Sequence, residues 1–146
     1  MSYPYHPPTV HMPIACWSLA TLADLAALFK WSSRAEDFAW TMLALGMLFA
    51  LPAIATGLLE FAKIAEDHPA KTVANWHMNV ILIAFALYCA SWFLRLEAAQ
   101  AAFSAWLGPA LSALGFLFLS VGGWLGGKLV YVHDIGARRS SSHTLE

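Results

Sequence analysis

The sequence predicts an all-α fold, an integral membrane four-helix bundle that crosses the bilayer four times. Of its 146 residues, 60% are hydrophobic and 12% are charged, whereas soluble domains average about half apolar and about a quarter charged residues. Four apolar runs are each long enough to cross a bilayer core of about 30 Å as a helix. Because backbone in lipid must satisfy its own hydrogen bonds, and because these runs are rich in Ala and Leu, helices are favoured over strands.

The first two predicted spans cover residues 12–30 and 38–62. Pro13 fits the first turn of a helix, where a missing N–H is tolerated, and Pro52 predicts a kink in the second span. The first run could also be read as a secretory signal peptide. Since no basic segment precedes it and no cleavage site follows it, we expect a retained span.

The last two predicted spans cover residues 73–95 and 103–130, so the sequence predicts a single membrane domain over residues 1–139. Residues 140–146 are polar and end in Leu-Glu, which indicates a disordered tail with the remnant of an expression tag. Four spans place both chain ends on one side of the membrane. We call this the terminal side and the opposite one the far side.

The distribution of Lys and Arg predicts the orientation. The terminal side holds Lys63, Lys71, Lys128, Arg138 and Arg139, and the far side holds Lys30, Arg34 and Arg95. Cytoplasmic loops carry an excess of these residues, so we expect both termini in the cytoplasm. The formal net charge of −1 provides no basic surface for nucleic acid, and the lipid bilayer is the predicted partner.

The histidines are the most informative residues because of their depth. His6, His11, His68, His77 and His133 all fall on the terminal side. His77 lies about one turn inside the third span, where an unpartnered imidazole is unfavourable and tends to face the bundle interior. His11 enters the membrane at nearly the same depth. We therefore expect His11 and His77 to share a ligand.

Two histidines on different helices of a membrane bundle predict b-type haem, because bundles build cofactor sites from inward side chains of facing helices. His11 and His77 are the favoured axial pair, and His6 and His133 form either a second pair or neutral partners, so one or two haems are expected. Zinc, copper or iron would also accept imidazole. A lone interfacial His more often contacts headgroups or forms a hydrogen bond. Flat apolar walls are predicted from Phe85, Trp76, Trp17, Phe61 and Trp124.

The fourth span carries a glycine-rich run. Gly122 with Gly126, and Gly123 with Gly127, form two overlapping GxxxG pairs. Such pairs let helix backbones approach closely, within the chain or between copies of it. The alternative is that they make room for the edge of a macrocycle.

Two acids lie within or at the end of predicted spans, where a carboxylate is unfavourable. Asp24 lies deep in the first span. The alternatives for its role are a proton relay, an ion site, and a buried acid bonded to Thr21, Thr41 or a backbone carbonyl. Glu60 closes the second span on the terminal side. It either orients a ligating His through its free ring nitrogen or reaches the membrane surface.

Several short motifs are spread along the chain. They are the opening His-Pro-Pro-Thr-Val-His-Met-Pro-Ile at residues 6–14, then Asp24, Thr56-Gly57 and His77, and the closing Gly-Gly-Lys-Leu-Val-Tyr-Val-His at residues 126–133. Over nearly its whole length the chain resembles a four-span bacterial inner-membrane family, the domain of unknown function number twenty-two thirty-one. Met12 stands where that family usually has an aromatic residue, and Asp134 where it more often has Gly.

The resemblance implies a location in the bacterial inner membrane and leaves the activity unnamed. It places His6, His11, His77 and His133 at motif positions, and His68 outside them. From the residues, we expect a haem b protein that carries electrons, to or from quinone or another redox protein, either as a carrier or as an oxidoreductase. The alternatives are a histidine-ligated non-haem metal protein for transport, sensing or oxidation, and a permease or assembly subunit without cofactor. No nucleotide or Ser-nucleophile motif is present in the sequence.

Overall fold

The computed structural model describes residues 5–32, 34–97 and 102–136, and within them it contains helices and no strand. The helices are α1 (His6–Thr9), α2 (His11–Leu28), α3 (Ala35–Phe61), α4 (Ala70–Glu97) and α5 (Ala102–Tyr131). Four helical segments are long and apolar enough to cross a membrane: His6–Leu28, Ala35–Phe61, Ala70–Leu96 and Trp106–Tyr131. The predicted all-α, four-span fold is confirmed.

The main difference from the predicted spans is at the start of the first one. The helical segment begins at His6 rather than at residue 12, because Pro7 and Pro8 occupy its first turn. Proline is tolerated there, since the first N–H groups of a helix have no partner within the helix. The opening motif is therefore part of the bundle. The predicted tail at residues 140–146 lies outside the described residues.

The helices form two hairpins. The first hairpin consists of α2 and α3 with α1 attached to α3, and the second consists of α4 and α5. Packing within each hairpin is more extensive than packing between them, which joins α2 to α5 and α3 to α4. At the centre of this interface, Trp17 of α2 stacks on Tyr88 of α4 with ring centroids 4.8 Å apart. The interface between the two hairpins is the part of the fold that positions the candidate site.

The outside of the bundle is apolar. Leu22, Leu59 and Leu117 are each more than 60% exposed, which suits contact with lipid chains rather than with water. Five of the seven tryptophans are exposed: Trp31, Trp40, Trp76, Trp106 and Trp124. Trp17 is buried, and Trp92 is partly buried and stacks on Trp40. The first five fit an interfacial belt, and the last two serve helix packing.

Candidate functional site

The rings of His6 and His77 meet across the interface between the two hairpins. Their centroids are 6.4 Å apart and their planes are nearly perpendicular, at 82°. His6 opens α1 in the first hairpin, and His77 lies about two turns into α4 in the second. Both rings are half-buried on the terminal side. We call these two residues the histidine pair.

His6 is fixed within its own hairpin. Its Nδ1 donates a hydrogen bond to the carbonyl oxygen of Ala53 at 3.0 Å, in α3. The Thr9 hydroxyl, one turn later, lies 3.0 Å from that of Thr56. A Cβ at Gly57 would lie 2.9 Å from Cε1 of the His6 ring. The Thr-Gly motif therefore supplies a polar partner for α1 and the space that the His6 ring occupies.

His77 is fixed in the same way by the second hairpin. Its Nδ1 donates to the carbonyl oxygen of Gly122, in α5, at 2.8 Å. A Cβ at Gly126 would lie 3.1 Å from Cε1 of the ring, and one at Gly122 would collide with Ile81. One GxxxG pair therefore packs α5 against α4 inside the chain. A Cβ at Gly123 would meet nothing within 4 Å, so self-association through Gly123 and Gly127 stays a prediction.

Both rings have the same hydrogen-bond arrangement, and it determines their chemistry. A ring nitrogen facing a carbonyl oxygen must carry the proton, so Nδ1 is the donor in both residues. In a neutral imidazole the other nitrogen, Nε2, then carries the lone pair. A metal-binding His usually donates its other N–H to such an acceptor. The histidine pair is thus in the tautomer that binds metals through Nε2.

The other predicted ligands lie elsewhere on the terminal side. His11, the favoured partner of His77, is exposed, and its Nδ1 lies 3.4 Å from the carbonyl oxygen of Pro8. His133 is half-buried in the turn after α5. Three residues later a Cβ at Gly136 would lie 3.5 Å from Pro7, so this turn reaches α1. The ring contact that the structure records is between His6 and His77, and a ligand role for His11 and His133 stays a prediction.

His68 and Glu60 each bond to a neighbour close in the chain. His68 accepts a hydrogen bond from the backbone N–H of Ala70 at the start of α4, at 3.1 Å. Glu60 forms an ion pair with Lys63 at 3.1 Å, which fits the surface role considered for it. Over residues 5–32, 34–97 and 102–136, no three His, Cys, Asp or Glu side chains are grouped to hold a metal ion.

At the far end of the same interface, Asp24 of α2 is paired with Arg95 of α4. The two terminal nitrogens of Arg95 each donate to one carboxylate oxygen of Asp24, both at 2.8 Å. Asp24 is only 1% exposed. The sequence pattern places Arg95 among the far-side charges and does not predict this pair. The available signal was that two opposite charges at similar depth near the far side tend to pair within a bundle.

The match to a family of proteins agrees with these features. A family model described as "Predicted membrane protein (DUF2231)" matches residues 2–139. The chain belongs to this family. No curated protein and no solved structure matches it. Of the positions that carried the resemblance to the DUF2231 family, His6 and His77 form the histidine pair, Asp24 forms the far-end ion pair, and Gly57 and Gly126 pack against the two rings.

In this DUF2231 protein Arg95 is held by more than Asp24. Its Nε donates to the Ser91 carbonyl at 3.2 Å, and one terminal nitrogen also lies 3.2 Å from the Ser91 hydroxyl. That hydroxyl donates to the carbonyl of Gly108, in α5, at 2.7 Å. A guanidinium with most of its donors satisfied is rigidly oriented. The far-end ion pair therefore links α2, α4 and α5.

One turn deeper than Asp24 lies a cluster of three buried hydroxyl groups. The Thr21 hydroxyl is 3.0 Å from that of Ser112 and 3.3 Å from that of Tyr88. Asp24 was considered as an acid bonded to Thr21 or Thr41. Instead its partner is Arg95, and Thr41 donates to the Asp37 carbonyl. The hydroxyl cluster joins the same three helices as the ion pair.

The aromatic residues predicted as walls for a cofactor lie in different parts of the bundle. Trp76 is 63% and Trp124 is 61% exposed, and Lys128 lies over the Trp124 ring at 4.0 Å. Phe61 packs under Lys71. Trp17 and Phe85 contact each other in the centre of the bundle. The exposure of the two tryptophans was not predictable, because helix periodicity alone does not tell which face meets lipid, and a wall role for the five residues stays a prediction.

Proposed function

We propose that this protein is a b-type haem protein of the bacterial inner membrane that carries electrons, and that His6 and His77 would hold the haem. The observation that carries the proposal is the histidine pair. Its two imidazoles come from different hairpins, meet across one interface, and each donate a hydrogen bond from Nδ1 to a backbone carbonyl.

The distance between the rings supports this assignment. Two imidazoles that bind one metal ion through Nε2 from opposite sides, each at about 2 Å, have ring centres about 6 Å apart. The histidine pair has a separation of 6.4 Å. The perpendicular ring planes are compatible with two histidines that would hold one haem, since each imidazole is fixed by its own hairpin.

The number of ligands favours haem over zinc or copper. A haem takes up to two axial ligands from the protein, whereas zinc is usually held by three or four protein ligands. The histidine pair supplies two. A non-haem centre would need a third ligand, and His11 and His133, on the same side of the membrane, are the sequence-predicted sources.

The packing around the pair bears on where a haem would be held. Gly57 and Gly126 give the two imidazole rings their space. The hairpins pack less extensively against each other than within themselves, so the interface is where a macrocycle can be accommodated at the smallest loss of contacts. When bound, the haem would supply one-electron redox chemistry. The carbonyls of Ala53 and Gly122 would orient the rings and raise their basicity as ligands.

The site lies at the terminal end of the bundle, which we propose faces the cytoplasm. That side carries Lys63, Lys71 and Lys128. On the far side, Arg95 is paired inside the bundle, so the remaining basic residues there are Lys30 and Arg34. This distribution supports termini in the cytoplasm. Electrons would enter or leave near that surface, with quinone from the lipid or a second redox protein as the partner.

The test is an absorption spectrum of the protein purified in detergent after expression with ample haem, oxidised and then reduced with dithionite. A low-spin bis-His haem is expected to give a Soret band and sharp reduced α and β bands. The variants His6→Ala and His77→Ala are expected to lose these bands, while the matched controls His11→Ala and His68→Ala keep them. Elution as a monodisperse peak shows that each variant is folded.

The results that would overturn the proposal are specific. A colourless wild-type protein excludes the haem assignment, and stoichiometric zinc, copper or iron in the same sample would assign a non-haem site instead. If His11→Ala loses the haem and His6→Ala keeps it, the axial pair is His11 with His77. Addition of a reduced quinone to the oxidised protein then tests whether quinol is an electron donor.

A further inference from the structure

A cleft lies on the far side, where the chain turns from α2 to α3. It has a volume of about 350 Å³ and is lined by Ala27, Lys30, Ser32 and Glu36. Lys30 has a positive φ of 55°, a left-handed conformation that reverses the chain after α2. Glu36 lies in the first turn of α3. The turn therefore brings a cation and an anion to one cleft.

The two charges lining the cleft do not neutralise each other. In the part of the chain that the structure describes, the ion pairs are Lys63 with Glu60, Lys71 with Glu66, and Arg95 with Asp24. Lys30 and Glu36 are both exposed. The Ser32 oxygen accepts the backbone N–H of Arg34 at 3.3 Å, so its own proton remains available for donation. The cleft thus offers donors at Lys30 and Ser32 and an acceptor at Glu36.

The position of the cleft indicates what could enter it. Phe29 and Trp31, on either side of Lys30, stack with centroids 5.4 Å apart and are 66% and 76% exposed. Exposed aromatic rings at the end of a span mark the level of the lipid headgroups. Pockets for small molecules measure about 300–1,000 Å³, so the volume suits a headgroup and not a whole lipid.

We propose that this cleft binds the headgroup of an aminophospholipid such as phosphatidylethanolamine. The phosphate lies against Lys30 and Ser32, and the primary ammonium donates hydrogen bonds to Glu36. A choline headgroup has no N–H to donate, and a glycerol headgroup has no cation for Glu36. The site is independent of the histidine pair, which lies at the opposite end of the bundle.

The experiment is lipid binding to the full-length, delipidated protein in detergent, followed by native mass spectrometry. Phosphatidylethanolamine, phosphatidylcholine and phosphatidylglycerol with identical acyl chains are titrated separately. Wild-type protein is expected to bind phosphatidylethanolamine most tightly. Because exposed charge interactions are weak, Lys30→Gln and Glu36→Gln are each expected to reduce that affinity by about two- to fivefold. Glu36→Gln is also expected to remove the preference over phosphatidylcholine.

Arg34→Gln and Asp37→Asn are the matched controls. Both residues are exposed beside the cleft without lining it, and their substitution is expected to leave the affinity unchanged. Equal affinity for the three lipids in the wild type, or equal losses in controls and test variants, would overturn the proposal. Full competition of soluble phosphoethanolamine with the lipid at the same concentration would also overturn the proposal, because the ligand would then be a soluble phosphate ester. The wild-type preference alone tests the site if a variant cannot be purified.

Discussion

The two ends of the interface between the hairpins are held in opposite ways. At the terminal end, the imidazoles of His6 and His77 each donate to a carbonyl of their own hairpin. At the far end, Arg95 donates two hydrogen bonds to the Asp24 carboxylate across the interface. The far end therefore holds the hairpins together. The terminal end brings two rings into contact without a hydrogen bond between them, which leaves both Nε2 atoms for a ligand.

The largest expected effect of a substitution is at the far-end ion pair. Arg95→Ala leaves Asp24 buried without a partner, and the free energy of unfolding is expected to fall by about 3–5 kcal/mol. Unfolding in mixed micelles with increasing SDS measures it. Arg34→Ala, an exposed arginine on the same side, is the control. The double variant Asp24→Leu with Arg95→Met removes both charges and is expected to recover most of the loss. Equal effects of Arg95→Ala and Arg34→Ala would contradict this account.

The next largest effect is expected beside the histidine pair. Gly126→Ala places a methyl group 3.1 Å from the His77 ring, and overpacking of this kind costs about 1–3 kcal/mol of stability. Gly123→Ala, on the open face of the same helix, is expected to be neutral or to stabilise by up to about 1 kcal/mol, because Ala is the better helix former. Thermal unfolding in detergent compares the two. If both behave alike, the His77 ring is not confined by α5.

A smaller effect is expected in the hydroxyl cluster between the two ends. Ser112→Ala removes a buried partner of Thr21 and is expected to destabilise by about 1 kcal/mol. Ser120→Ala is the same change on the same helix, at an exposed hydroxyl bonded to the Phe116 carbonyl of its own helix. The SDS titration is expected to separate the two variants. A larger loss from Ser120→Ala would show that the cluster does not join the hairpins.

The smallest effect is expected for the terminal-side ion pair. Lys63 is 51% exposed in its pair with Glu60, and exposed pairs contribute about 0.2–1 kcal/mol. Glu60→Gln is therefore expected to change stability by less than about 1 kcal/mol and to leave any haem spectrum unaltered. A loss of the bound cofactor in this variant would instead place Glu60 among the residues that orient a ligand.

The spans were predictable from sequence because lipid leaves an apolar run of this length only one regular structure. Which histidine of the first hairpin meets His77 was not predictable. His6 and His11 are five residues apart on a nearly continuous helical segment, so their side chains point in directions that differ by about 140°. Only one of them can face the second hairpin. Which one depends on where the helix begins, and the two prolines after His6 made that start difficult to read.

The far-end ion pair was out of reach for a related reason. Asp24 and Arg95 are 71 residues apart in the chain. Their depths could be read from the sequence, but their pairing depends on which faces of α2 and α4 meet. The role of Gly126 had the same limit. Its spacing to Gly122 predicted close packing, whereas only the fold places the His77 ring against it.

The separation of Asp24 and Arg95 in the chain has a consequence for biogenesis. Asp24 lies in the first hairpin and Arg95 in the second, so spans that insert in chain order bring Asp24 into the membrane ahead of its partner. We expect the unpaired carboxylate to stay unfavourable in the bilayer until the second hairpin docks. Docking of the second hairpin supplies Arg95 and removes this cost, so formation of the ion pair coincides with completion of the fold.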